Sequence, residues 1–198
     1  MEPIVLASCS RRRQDYFKML GLPHKILPAN IDETVEDGLS PEDFAKKMAV
    51  AKVEKVLYDL SGKIPQWVFG ADTLIALDDI VLNKSKSREE ARQSLKKLSG
   101  RSHKVITACA LFCGKTKNID CRIATTIVHF AELDSEILEW YLNTGEWQGA
   151  AGSYQIQGLA GCFINRIEGS FSGVVGLPLR LFYLMLLENG YDYGNYVI

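Results

Sequence analysis

Two stretches of this chain carry residues whose type is unexpected for their place, and both suit chemistry on anions. The first is Ser8-Cys9-Ser10-Arg11-Arg12-Arg13, which follows a short apolar run, Ile4 to Ala7, that reads as a buried strand. Ser10 is an N-cap type, whose hydroxyl can accept from an unpaired N–H of a first helical turn. Three arginines in that turn oppose the helix dipole, which already leaves about half a positive charge there. A glutamate or glutamine at Arg13 would have closed a capping box. Strand, serine turn, helix start and stacked guanidiniums together suit phosphate; the alternative is a solvated basic turn.

The second stretch is Trp67 to Leu77, an apolar strand interrupted by Asp72. A carboxylate there costs several kcal/mol, roughly, unless it is paired, hydrogen-bonded or on a metal. It is either a structural aspartate held by backbone donors or a functional one, and a general base or metal ligand suits such a position. Gly70 beside it allows close approach of a backbone or ligand. Lys52 falls within the apolar stripe of a predicted helix, between Met48 and Val56, where it must snorkel, pair or meet a ligand. Lys84 directly follows the next strand, Ile80 to Leu82, and can reach back toward a phosphate near Asp72.

Composition bounds the remaining possibilities. The chain has 198 residues, 47% hydrophobic and 24% charged, enough for one sizeable core. A net charge of -1 offers no general field for nucleic acid or membrane, so any anion site is local. No apolar run approaches the ~20 residues of a membrane span, and no signal peptide is visible. The 5 cysteines form no CxxC pair, and with only 3 histidines there is no zinc spacing. They read as reduced thiols of a cytoplasmic protein, with Cys9 a spectator in its turn.

The elements that must position these residues follow from pattern. A helix runs from Ser10 to Leu20, ended by Gly21 and Pro23, and His24 to Leu27 is a short strand. The loop from Pro28 to Gly38 holds Asp32, Glu33, Glu36 and Asp37 and reads first as solvated surface. Ser40-Pro41-Glu42-Asp43 opens a helix to about Leu60, followed by a turn at Ser61-Gly62-Lys63. Asp78-Asp79 turns the central strand back. Ser87-Arg88-Glu89-Glu90 is a capping box before another helix, which stops at Ser99-Gly100. His103 to Cys113 and Ile119 to Phe130 form a hairpin. Asp134 caps a helix whose apolar face is Ile137, Leu138, Tyr141 and Leu142, with Leu133 and Leu138 placed as a staple. Cys162 to Ile167 reads as a strand, Gly169 to Gly176 as a loop, and Leu177-Pro178 opens a last helix ended by Gly190. The tail from Tyr191 to Ile198 has no assigned structure. The segment from Gly149 to Gly158 sets Tyr154, Gln155 and Gln157 among small residues, and its amides can read a base edge.

Taken as a set, Ser8 to Arg13, Gly70-Ala71-Asp72-Thr73, Leu98 to His103 with Thr107, Ala151 to Gly158 and Val175-Gly176-Leu177-Pro178-Leu179 make the chain resemble the Maf (septum-formation inhibitor) family of nucleoside triphosphate pyrophosphatases. The resemblance runs from Pro3 to about Gly190. It implies an α/β fold similar to the inosine triphosphate pyrophosphatase group: a single domain over 1–198, with a strongly bent mixed sheet, two lobes and a central cleft. It also implies a divalent cation (Mg²⁺, Mn²⁺ or Co²⁺), a nucleoside triphosphate substrate and a homodimer. Asp72 then matches the proton acceptor, and Ser8, Arg13, Glu33, Lys52 and Lys84 the other polar positions. Arg12, Thr73 and Gln157 match the positions of base selection. Thr73 and Gln157 look like the dTTP/UTP branch rather than the 7-methyl-GTP branch, with CTP and modified pyrimidine nucleotides left open as substrates. The family usually has proline where Arg11 stands, Gly-Lys-Pro at Asn83-Lys84-Ser85, and often Asp-Lys at Gly149-Ala150.

On this reading Arg12, Arg13, Lys52 and Lys84 neutralise a triphosphate, while Glu33 and Asp72 hold the metal. Asp72 also orients or deprotonates water for in-line attack at the α-phosphorus. One rival is an aspartyl-phosphate phosphatase, which needs a second aspartate where Leu74 stands. The other is a non-catalytic, nucleotide-binding regulator of septum formation. Asp72→Asn is expected to lose turnover by orders of magnitude while keeping its fold; hydrolysis near the wild-type rate would remove Asp72 from the mechanism.

Overall fold

The computed structural model describes residues 1–34, 38–62, 64–78 and 80–193. Glu36 and Asp37 of the acidic loop, Lys63, Asp79 and the tail at 194–198 lie outside the described residues. The strands are β1 (Ile4–Leu6), β2 (His24–Ile26), β3 (Trp67–Leu77), β4 (Ile80–Leu82), β5 (Ser102–Cys113), β6 (Asn118–Phe130) and β7 (Ile164–Glu168). The helices are α1 (Arg11–Met19), α2 (Pro41–Asp59), α3 (Arg88–Leu98), α4 (Ser135–Thr144), α5 (Phe171–Val175) and α6 (Leu179–Glu188).

The strands form one mixed sheet in the order β2-β1-β3-β5-β6-β7, with β4 on β3. This is the mixed α/β architecture expected. β1 runs parallel to both β2 and β3, and the remaining pairs are antiparallel. One edge of β3 pairs with β5 along nearly its whole length. The other edge is shared: β1 takes Val68 and Phe69, and β4 takes Ile75 to Leu77. Between them, Gly70 to Leu74 face no described strand, and the sheet is open there.

Strand alternation sends successive side chains to opposite faces. On one face, Val68, Leu74 and Ala76 pack with Ile106, Ala108 and Ala110 against Phe44, Ala49, Val53 and Val56 of α2. On the other face there are two separate cores. Trp67, Phe69, Ala71, Cys109 and Leu111 meet α1 and α6, whereas Ile75, Leu77 and Val105 meet α3 and α4. Thr73 and Thr107, paired in register, lie at the seam between these two cores.

Local signals explain most element ends. Ser40 accepts from the Asp43 N–H, Ser87 from Glu90 and Asp134 from Ile137, as N-caps do. Gly21 (φ +63°) closes α1, with its N–H on Lys18 O and that of Leu22 on Phe17 O. Several expectations need correction. Ser10 occupies the N-cap of α1 but its side chain makes no capping bond. The box at Ser87 is half made, because Glu90 accepts from the Lys86 N–H rather than from Ser87. Ile137 is exposed, off the buried face of α4. Cys162 and Phe163 belong to a 3₁₀ turn, Leu159–Phe163, so β7 starts later. The expected loop from Gly169 to Gly176 contains α5, capped by Ser170 Oγ on the Gly173 N–H.

Gly70 sets the distance between β3 and α2. A Cβ there would lie 2.8 Å from Ala49 O and 2.9 Å from Val53 Cγ2, both tighter than real contacts. Gly70→Ala is expected to destabilise the protein by about 1–3 kcal/mol, the scale of core overpacking. The check is a lower urea midpoint at unchanged slope; an unchanged midpoint would mean that α2 moves away freely.

Candidate active site

All nine residues singled out from the sequence line one cleft of about 650 Å³, at the open edge of β3. The β1–α1 turn brings Ser8, Arg12 and Arg13, the segment after β2 brings Glu33, and α2 brings Lys52. β3 supplies Asp72 and Thr73, Lys84 follows β4, and Gln157 comes from the loop before the 3₁₀ turn. The cleft lies beyond the carboxyl end of β1, beside a parallel neighbour, the usual place for ligands in open α/β sheets.

On the α2 face, three charges converge. Lys52 Nζ is 2.7 Å from Asp72 Oδ1 and 2.7 Å from Glu33 Oε1, and its side chain is only 9% exposed. Lys52 therefore pairs rather than snorkels. Lys84 Nζ reaches Glu33 Oε2 at 3.2 Å. Burial raises the Glu33 carboxyl, but the hydrogen bonds and charges of Lys52 and then Lys84 outweigh it and bring it down to about 2.

On the opposite face, Arg13 is buried at the seam. Its Nε donates to Gly176 O at 2.8 Å, Nη1 to Ser8 Oγ at 3.1 Å and Nη2 to Thr73 Oγ1 at 2.9 Å. Thr107 Oγ1 donates to Gly173 O at 2.8 Å, so within the 2.9 Å Thr73–Thr107 contact the proton belongs to Thr73. The hydrogen-bond direction runs one way, from guanidinium to threonine to threonine to backbone. Burial lowers the Arg13 pKa and the nearby Asp72 opposes that shift; the guanidinium stays charged.

The far wall holds the amides. Arg12 Nη1 donates to Gln155 Oε1 at 3.1 Å, and Arg12 Nε is buried without a partner among the described residues. Tyr154 lines the cleft, with its hydroxyl 2.8 Å from His103 Nε2. Burial depresses His103 to about 4, which leaves it neutral. Lys84 bridges Ala151 through the backbone, and Ser85 Oγ meets Ser153 Oγ at 2.6 Å. The lysine loop is thus fastened to the amide loop across the cleft. Cys9 and Arg11 also line the cleft, and both are exposed. Gln155 was visible in the sequence only as one of two amides two residues apart, and nothing in the pattern marked Glu146, which holds that loop.

Arg11, Arg12, Arg13, Lys52 and Lys84 outnumber Glu33 and Asp72 along this cleft, in a chain of net charge -1. The site defined is a local cation field enclosing two carboxylates, suited to a polyanion. The chain belongs to the Maf-like proteins, the family that matches residues 3–189. It is 40% identical over 192 residues to a dTTP/UTP pyrophosphatase of Chelativorans sp. (strain BNC1), covering 95% of this chain and 91% of that one. The dTTP/UTP pyrophosphatase of Pelotomaculum thermopropionicum is also 40% identical, covering 97% and 99%. Among solved structures, the Staphylococcus aureus Ham1 protein aligns with a TM-score of 0.46 at 17% identity, over 66% of this chain and 73% of that one.

The depressed Glu33 carboxyl has a signed consequence. Ionised Glu33 contributes stability above its unfolded value near 4.5, and that contribution fades as pH falls toward 2. Glu33→Gln should therefore have a lower urea midpoint than wild type at pH 7, with the gap narrowing by pH 3. The effect is modest because the side chain is 43% exposed. Equal midpoints at pH 7 would show that the ion pairs add nothing.

Proposed function

We propose that this protein is a nucleoside triphosphate pyrophosphatase that converts dTTP or UTP to the monophosphate and pyrophosphate. The observation that carries this reading is Lys52, gripped by Asp72 and Glu33 in a cation-rich cleft. The relatives named dTTP/UTP pyrophosphatase support the same reaction and substrates. A non-catalytic regulator of septum formation is not favoured beside such relatives.

Ser8, Arg13, Lys52 and Lys84 face the phosphates in this reading. Arg13 has five N–H donors and commits Nε and one N–H from each terminal nitrogen to the wall. The rest of its fork, and its charge, serve the ligand. Arg12, Thr73 and Gln157 select the base. Asp72 accepts a proton from water as the water oxygen bonds to the α-phosphorus and the bond to the pyrophosphate oxygen breaks. Lys52 holds Asp72 in place. The cations stabilise charge that builds on the leaving pyrophosphate.

Glu33 and Asp72 also suit a divalent metal. Their oxygens already converge on one cation, the Lys52 ammonium. Magnesium commonly takes one or two carboxylates and completes its shell with phosphate oxygens and water. When bound, Mg²⁺, Mn²⁺ or Co²⁺ would supply positive charge to the triphosphate. The described residues contain no cluster of three His, Cys, Asp or Glu.

We read the seam between the two cores as the meeting line of two lobes in a single domain. The free cysteines suit a cytoplasmic setting, and the resemblance suggests a homodimer. No helix among the described residues is long and apolar enough to cross a membrane.

The test is a panel of canonical and modified nucleoside triphosphates with each metal, separating pyrophosphate from orthophosphate. UTP and dTTP are expected to yield monophosphate and pyrophosphate, and EDTA to abolish turnover. Orthophosphate release, or nucleotide binding without turnover under any metal, would overturn the assignment.

A further inference from the structure

We propose that Gln155 is a positioning residue that fixes which way the Gln157 amide faces, and thereby selects uracil or thymine over cytosine. The inference rests on the pyrophosphatase reading and deepens it to the choice between pyrimidines.

The orientation of Gln155 is chemically determined. Its Nε2 lies 2.7 Å from the backbone oxygen of Glu146, a group that can only accept. Its nitrogen must therefore face Glu146 and its oxygen the other side. That oxygen accepts from Arg12 Nη1 at 3.1 Å and from Gln157 Nε2 at 2.9 Å, which uses both lone pairs. Gln155 has little left to offer a base. Gln157, held through its nitrogen, keeps one N–H and its whole carbonyl oxygen, to which no described group donates.

The support behind Gln155 is stiff. Its backbone N–H donates to Tyr141 Oη at 3.3 Å, and that hydroxyl donates to Glu146 Oε1 at 3.2 Å. The Glu146 carboxylate also accepts from the Leu159 and Ala160 N–H groups, at 3.0 and 3.3 Å. A Cβ on Gly158 would lie 2.5 Å from Glu146 Oε2, so any side chain there would push the Glu146 carboxylate from its place. One residue thus grips the Gln155 side chain through its carbonyl and the Gln155 backbone through Tyr141.

A fixed amide distinguishes the two kinds of pyrimidine. Uracil and thymine present an N3–H donor beside an O4 acceptor. An amide meets that edge with its oxygen at position 3 and its nitrogen at position 4. Cytosine presents the reverse order, an N3 acceptor beside an N4 donor, and needs the amide turned over. An unheld glutamine can turn to suit either; one tied by its nitrogen to Gln155 cannot.

The test compares pyrophosphate release from UTP and CTP, together with calorimetric binding of their non-hydrolysable α,β-imido analogues. Wild type is expected to favour UTP in both. Gln155→Met, of similar size but without polar atoms, should reduce the UTP-to-CTP ratio roughly tenfold, about one hydrogen bond. The change should fall on KM rather than kcat. Gln155→Leu, which also lacks the donor to Glu146 and the acceptor for Gln157, should lower the ratio likewise and serves if the Met variant does not fold. In a Gln157→Ala background, Gln155→Met should not alter the ratio further. A wild-type ratio in Gln155→Met, an additive double variant, or a wild type indifferent to the base would each overturn this inference alone. A wild type that releases no pyrophosphate overturns the functional reading, while analogue binding still decides the role of Gln155.

Discussion

The cleft depends on one short contact, Lys52 Nζ to Asp72 Oδ1 at 2.7 Å. Both side chains are largely buried, and each charge is the reason the other is tolerated there. The contact requires α2 to lie unusually close to β3, and Gly70 is what permits it: a Cβ at that position would also come within 3.3 Å of Lys52 Cβ. Packing thus brings the ammonium to the carboxylate, and electrostatics then holds both at the lip of the open edge. Glu33 joins through Lys52, and Lys84 joins through Glu33. The order of dependence runs from backbone approach to ion pair to loop.

Strand alternation divides the work of two adjacent residues. Asp72 points to the α2 face and Thr73 to the seam, where Arg13 and Thr107 hold it. On a fully paired strand these faces would be separated by the sheet. Here the missing partner between β1 and β4 lets one cavity reach both. The proposed reacting group and a proposed base-selecting group are therefore neighbours in sequence, yet each rests on a different set of supports.

Much of this was legible in the sequence because the site is made of violations. A carboxylate inside a β run, a lysine inside an apolar stripe and arginines at a helix start each break a local rule, and the fold gathers all of them. β3 and α2 were equally readable, since strong periodicity and a Ser-Pro start leave few alternatives. What escaped depended on partners distant in sequence. Ser10 carries a capping oxygen, but its N–H turns instead to Ser8 Oγ, which Arg13 also occupies. The turn at Leu159–Phe163 is held by the Glu146 carboxylate, which no local pattern could connect to it. Helix α5 is five residues long with a glycine inside, so composition argued for a loop while the Ser170 cap and packing decided otherwise.

The gap in β3 pairing also bears on how the molecule avoids its own copies. An unpaired strand edge is a template for another chain, and proteins commonly blunt such edges with charge or bury them. This one is short, running only from Gly70 to Leu74, and is bracketed at both ends by β1 and β4. Arg12, Arg13, Lys52 and Lys84 line the approach to it, and an incoming apolar strand would have to desolvate them. The same charges that make the cleft hospitable to a polyanion make it hostile to β-sheet growth, so the opening carries little risk of aggregation.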